Sequence, residues 1–213
     1  HLKVAAAEGL RAPTRPVTVR DLMLHTSGFT YGDGPTALKE AFGRLKPMDS
    51  ANLAEMAEKL SQVPLAFDPG TDWNYGVSID VLGRVIEVVS GEGLDVFLEK
   101  TIFQPLDMPD TAFNVPPEKF ARFAANYRRS PEGLKVIDAS ADSKYAKEVT
   151  LFSGGGGLVG TARDYVRFLT MVQRGGILDG HRILKSKTVK LMTTNQLPEK
   201  AFPIYFGAEK RPG

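Results

Sequence analysis

Tyr75 is the side chain whose surroundings most invite chemistry. It lies in Trp73-Asn-Tyr-Gly-Val-Ser78, on a glycine-flanked turn just ahead of an apolar stretch with helical periodicity. A helix N-terminus presents unpaired N–H groups and the positive end of the helix dipole. A phenol held there is biased towards its anion, as a general base requires. The structural alternative is a tyrosine whose hydroxyl only bonds a backbone carbonyl. His25-Thr-Ser-Gly28 places a histidine two residues from a serine. A catalytic triad is assembled in space and not along the chain, so this adjacency favours a structural reading. In that reading His25 caps a helix C-terminus, while Thr26 and Ser27 satisfy turn backbone. Ser153 opens a run of four glycines, 154–157, that precedes another helical stretch. The run lacks the lysine of a P-loop and the spacing of a dinucleotide fold, which argues against a phosphate cradle. Either the glycines let backbone approach a substrate or a strand closely, or they form a tight turn at a domain edge. The histidines, at 1, 25 and 181, show no metal-ligand spacing, so neither a metal nor another cofactor is expected.

Composition narrows the classes. There is no cysteine, which excludes disulfides, thiolate catalysis and cysteine-based zinc sites. Twenty-seven basic and 25 acidic residues leave a formal charge of +2. With no run of five like charges, a nucleic-acid partner is not expected. The longest apolar runs are too short to span a bilayer. No basic segment followed by an apolar one marks a signal peptide, and the compartment stays open between cytoplasm and periplasm. An apolar content of 42% suits a packed core. The chain opens on His-Leu-Lys-Val-Ala and closes on Arg-Pro-Gly, which reads as a segment of a longer protein.

Several elements must position these residues. Residues 2–6 read as an edge strand. Thr18 with Asp21 reads as a capping box for a helix over Val19 to His25. Helices are predicted over Thr36–Leu45 and Ala51–Val63, the latter ended by Pro64. The clearest helix starts at Ser78 as N-cap, with Asp80 in its first turn and Ile79, Leu82, Val85, Ile86 and Val89 as its buried stripe. Another covers Leu94–Ile102. Residues 124–128 and 134–138 read as a hairpin. Thr161 caps a helix with a stripe of Tyr165, Phe168, Leu169 and Val172, and a last helix covers Leu184–Thr193. No internal repeat and no linker separates two domains.

Taken in order, three segments resemble the serine β-lactamase and penicillin-recognising family, and most closely class C β-lactamases and family VIII carboxylesterases. They are Val17-Thr-Val-Arg-Asp-Leu-Met-Leu-His-Thr-Ser-Gly28, then the stretch from Pro69 through Tyr75 to Gly91, then Ser153 through Tyr165. Ile102-Phe-Gln-Pro-Leu-Asp-Met108 adds to the likeness. The resemblance implies an α+β, β-lactamase/transpeptidase-like fold. Residues 1–213 would be its central, mostly helical inserted part, with flanking parts of a mixed α/β sandwich. It implies an acyl-enzyme hydrolase whose substrate is a small-molecule ester or lactam, with oligomeric state open. Of the family's three motifs, only the tyrosine motif is present, as Tyr75-Gly-Val77. Val77 stands where β-lactamases carry an asparagine, which favours an esterase. No serine is followed three positions on by a lysine, so the Ser-x-x-Lys nucleophile is expected before residue 1. Lys187-Thr188-Val189 is not the third motif, which is expected beyond residue 213. The alternatives are a true β-lactamase or D-Ala-D-Ala-type peptidase, and a non-catalytic binding homologue. By the same resemblance Tyr31 lines the acyl pocket and Gly155 and Gly156 border it. The 213-residue segment alone is expected to be inactive.

Overall fold

A computed structural model of the chain describes residues 2–206 and 209–211. It begins with a short antiparallel ribbon, β1 (Val4–Ala6) and β2 (Gly9–Arg11). β1 also meets Leu65 through a parallel bridge, which carries this ribbon onto the helical body. Helix α1 (Val19–Leu24) starts as the sequence predicts. The Thr18 hydroxyl accepts from the Asp21 N–H, and the Asp21 carboxylate accepts from the Thr18 N–H at 2.8 Å. Arg15 grips the same carboxylate with two hydrogen bonds of 2.7 Å. That guanidinium holds the Asp21 carboxyl well below the usual carboxylate range.

Helices α2 (Thr36–Leu45) and α3 (Leu53–Leu60) follow. The second is shorter than the predicted 51–63. Asn52 caps it by accepting from the Glu55 N–H, and the chain turns at Ser61, three residues before Pro64. Helix α4 (Ser78–Ser90) packs on α1 and α3. Ser78 is its first helical residue and not its cap, because the Ser78 hydroxyl is drawn 2.8 Å from that of Ser27. The predicted stripe is only half correct. Leu82, Val85 and Ile86 pack on the core, but Val89 is 81% exposed. The residues of α4 that are fully covered are Ser78, Asp80 and Gly83. A small residue at 83 lets α4 approach closely: a Cβ there would lie 2.9 Å from Leu94 and 3.2 Å from Leu53.

Helix α5 (Leu94–Leu98) runs into a π-helical turn at Glu99–Phe103 where one continuous helix is predicted. The expected hairpin forms from β3 (Asn126–Ser130) and β4 (Gly133–Asp138). Thr161 caps α6 (Ala162–Gln173) through the Asp164 N–H. Here too the stripe is shifted. Phe168 and Val172 pack around buried Met171, while Tyr165 and Leu169 face outward. The chain then forms the ribbon β5 (Ile177–Leu178) and β6 (His181–Arg182), helix α7 (Ser186–Met192), and the ribbon β7 (Ile204–Phe206) and β8 (Glu209–Arg211). Lys187 and Thr188 sit inside α7. Among the described residues the named strands pair only as these two-stranded antiparallel ribbons, and no helix is long and apolar enough to cross a membrane.

The main core gathers Leu22, Phe29, Leu53, Met56, Leu60, Leu65, Val77 and Leu94. Each such side chain contributes roughly 1.5–3 kcal/mol on leaving water. Val77 is completely covered within it, so the chain is anchored two residues beyond Tyr75.

Candidate active site

Four contacts explain why Tyr75 stands where it does. His25 ends α1 in the left-handed conformation, at φ 56°. That turns the backbone so that the His25 carbonyl accepts from Asn74 N–H at 3.1 Å and the Thr26 carbonyl from Gly70 N–H at 2.7 Å. The Gly28 carbonyl accepts from Ala66 N–H at 2.9 Å. The hydroxyls of Ser27 and Ser78 then join the turn to the start of α4. Together these clamp residues 25–28 against the segment that carries Tyr75. Gly76 completes the fit. A Cβ there would lie 2.4 Å from the Phe29 carbonyl oxygen and 2.5 Å from Thr30 Cα, so only glycine allows the two backbones to approach this closely.

The structural reading of His25 and Ser27 therefore holds, with one change. Ser27 accepts from Phe29 N–H at 3.2 Å within the turn. Thr26 instead donates to the Asp21 carboxylate at 3.2 Å. His25 also does more than cap. Its ring centroid is 4.9 Å from that of Tyr75, and its Nδ1 accepts from Gly76 N–H at 3.4 Å. Burial lowers the His25 pKa, against an opposing pull from the Asp80 charge. The ring is thus favoured as the neutral tautomer, with its proton on Nε2.

Tyr31 lies on the other side of Tyr75, with ring centroids 5.8 Å apart. The two phenols are 37% and 41% exposed, open enough to meet a small molecule. Burial, reinforced by the charge of Asp80 and by Tyr75, pushes the Tyr31 hydroxyl up to about 12. Tyr31 therefore keeps its hydroxyl proton near neutral pH and is not a base there.

The glycine loop closes the arrangement, and it separates the two predicted glycines. A Cβ at Gly155 would lie 2.8 Å from the Asp80 carboxylate and 3.2 Å from the Tyr31 hydroxyl. Gly156 has open space where its Cβ would be, and its carbonyl accepts from the Tyr145 hydroxyl at 3.1 Å. Tyr75, Tyr31 and Gly155 are thus brought together, while Gly156 faces outward. Sequence reasoning missed Asp80 and Ser153. Asp80 is fully buried, and its Oδ1 accepts from the Ser153 hydroxyl and from Gly155 N–H at 3.2 Å. A charge in the first turn of an apolar helix was visible, but it has an ordinary explanation in the helix dipole. Among the described residues, no group of three or more histidine and carboxylate side chains could hold a metal ion.

The fold and this cluster define a class before any relative is considered: an α+β protein with a half-exposed tyrosine held by helix ends and a glycine loop. The chain belongs to the beta-lactamase family, whose model matches residues 1–210. It is 32% identical over 189 residues to Protein Rv1367c of Mycobacterium tuberculosis, covering 87% of this chain and 46% of that protein. It is 30% identical over 176 residues to Esterase EstB of Burkholderia gladioli, covering 74% and 44%. Among solved structures it resembles EstCE1, a hydrolase with promiscuous acyltransferase activity, at 26% identity and a TM-score of 0.71. That match covers 94% of this chain and 55% of the other. The chain spans about half the length of these relatives.

Proposed function

We propose that this chain is the tyrosine-bearing central part of a serine hydrolase that cleaves carboxylic esters through an acyl-enzyme. The observation that carries the reading is Tyr75 at the mouth of the cluster, between a neutral His25 and a protonated Tyr31. In the whole protein a serine and its lysine, supplied from outside residues 1–213, would meet Tyr75. The serine oxygen adds to the ester carbonyl as its proton passes towards Tyr75 and the lysine. The proton then goes to the departing alcohol, and water repeats the cycle to release the acid. Tyr31 and Gly155 border the acyl pocket in this reading, with Gly156 at its outer rim.

Two observations support an ester over a lactam. Val77, where β-lactamases present an asparagine to the substrate, is completely covered in the core. Relatives also carry the names esterase and hydrolase. A second reading, acyl transfer to an alcohol other than water, is favoured by the acyltransferase activity named for EstCE1. It uses the same acyl-enzyme and differs only in the acceptor.

Residues 1–213 alone should turn over no ester. The test is p-nitrophenyl acetate hydrolysis by the whole protein. Tyr75→Phe should lower kcat by about 10²–10⁴-fold with the fold intact by circular dichroism, the range for loss of a general base. Activity retained within about twofold would remove Tyr75 from the proton path.

A further inference from the structure

Among the described residues, two carboxylates are fully buried at the same position of their helices, Asp80 in α4 and Asp164 in α6. Each has one oxygen bonded and one with no hydrogen-bond partner among the described residues. A half-satisfied buried carboxylate is costly and calls for a reason. Asp164 has a structural one. It accepts from Asp110 N–H at 2.8 Å and from the Thr111 hydroxyl at 2.9 Å, which docks the 110–111 turn on α6.

Asp80 is placed differently. Its bonded oxygen takes Ser153 and Gly155, two positions of the glycine loop more than seventy residues away in sequence. Its other oxygen and the Tyr31 hydroxyl both lie close to the spot a Gly155 Cβ would occupy, at 2.8 and 3.2 Å. Its charge is felt at both Tyr31 and His25, the two rings that flank Tyr75. One buried group thus holds the loop by two hydrogen bonds and has its other oxygen beside the spot that the Tyr31 hydroxyl also approaches.

We propose that Asp80 is a positioning residue: its buried carboxylate ties the glycine loop to α4 and so sets how closely Gly155 stands to the Tyr31 hydroxyl at the border of the acyl pocket. The part played at the acyl pocket rests on the ester-hydrolase reading; the tie itself does not. The tie is charge-assisted, and replacing the carboxylate by an amide weakens both hydrogen bonds while keeping the side chain's shape.

The test compares Asp80→Asn and Ser153→Ala with Asp164→Asn in the whole protein. Amide hydrogen exchange is read on the peptide spanning residues 151–158, and kcat/KM on p-nitrophenyl acetate and octanoate. Asp80→Asn should speed exchange in the loop by about tenfold or more, the scale of a lost charge-assisted hydrogen bond. It should change the acetate-to-octanoate ratio by about tenfold, the scale of a methylene-sized change in a pocket. Ser153→Ala should change both in the same direction by less, and it carries the test alone if Asp80→Asn does not fold. Asp164→Asn should lower Tm and leave loop exchange and the ratio unchanged. Loop exchange in Asp80→Asn and Ser153→Ala that matches wild type would overturn the tie. Faster exchange with an unchanged ratio would overturn the pocket role. A wild-type protein that hydrolyses neither ester refutes the ester-hydrolase reading and with it the acyl-pocket role, while loop exchange still decides the tie.

Discussion

His25 joins stability and chemistry in one side chain. Its backbone caps α1, its carbonyl holds Asn74, and its ring rests against Tyr75. Burial keeps its pKa below the ordinary 6.5, so the unfolded chain takes up a proton that the folded chain resists. Stability from this source is complete above the ordinary value and is lost as the pH falls through it. The wild-type Tm should therefore drop between about pH 7 and pH 5, and His25→Asn, whose side chain tolerates the left-handed turn, should show a shallower slope in that window. Equal slopes would show that His25 titrates alike in both states. Below that window both proteins should fall together as Asp21, Asp68 and Asp110 are protonated. All three carboxyls are held low by arginine, and their stabilisation is present above the ordinary 3.8 and lost beneath it. At this scale the sequence names Tyr75 and Tyr31 through resemblance, and it gives His25 its capping role through the turn that follows. It cannot name Asp80 with Ser153, because a hydrogen bond across more than seventy residues leaves no periodicity to read.

The elements that carry the site depend on close backbone approach more than on apolar stripes. Gly76 and Gly83 both lie on the tightly packed side of the Tyr75–α4 unit, but their neighbours differ. A Cβ at 83 would press on the ends of two leucine side chains, which can shift. Such overpacking costs roughly 1–3 kcal/mol, partly offset by the better helix propensity of alanine. A Cβ at 76 would press on the backbone of Phe29 and Thr30, which the neighbouring turn holds in place. Gly76→Ala should therefore lower Tm much more than Gly83→Ala, as a thermal melt of the two variants shows directly. Similar losses would mean that the Phe29–Thr30 backbone yields. Helix starts were legible where chemistry marks them, as in the Thr18–Asp21 box and the Thr161 cap. The buried faces of α4 and α6 were less so, because both turn a buried aspartate and small or mixed residues inward and leave Val89, Tyr165 and Leu169 outside. The π-helical turn after α5 has no sequence signature of its own.

For the molecule as a whole, family membership and an α+β fold support the proposal that the rest of the site comes from outside this segment. The described residues bring Tyr75, Tyr31 and the glycine loop together. Nothing in residues 1–213 matches Ser-x-x-Lys, and the relatives are about twice as long. The central claim is that a serine from outside this segment completes the site around Tyr75. The most direct measurement is the intact mass and peptide map of the whole protein after a phosphonate that acylates activated serines. The account predicts one stoichiometric adduct, on a serine outside residues 1–213 that is followed three positions on by lysine, and slower labelling in Tyr75→Phe. An adduct on a serine within residues 1–213, or a folded protein that takes up none, would contradict it.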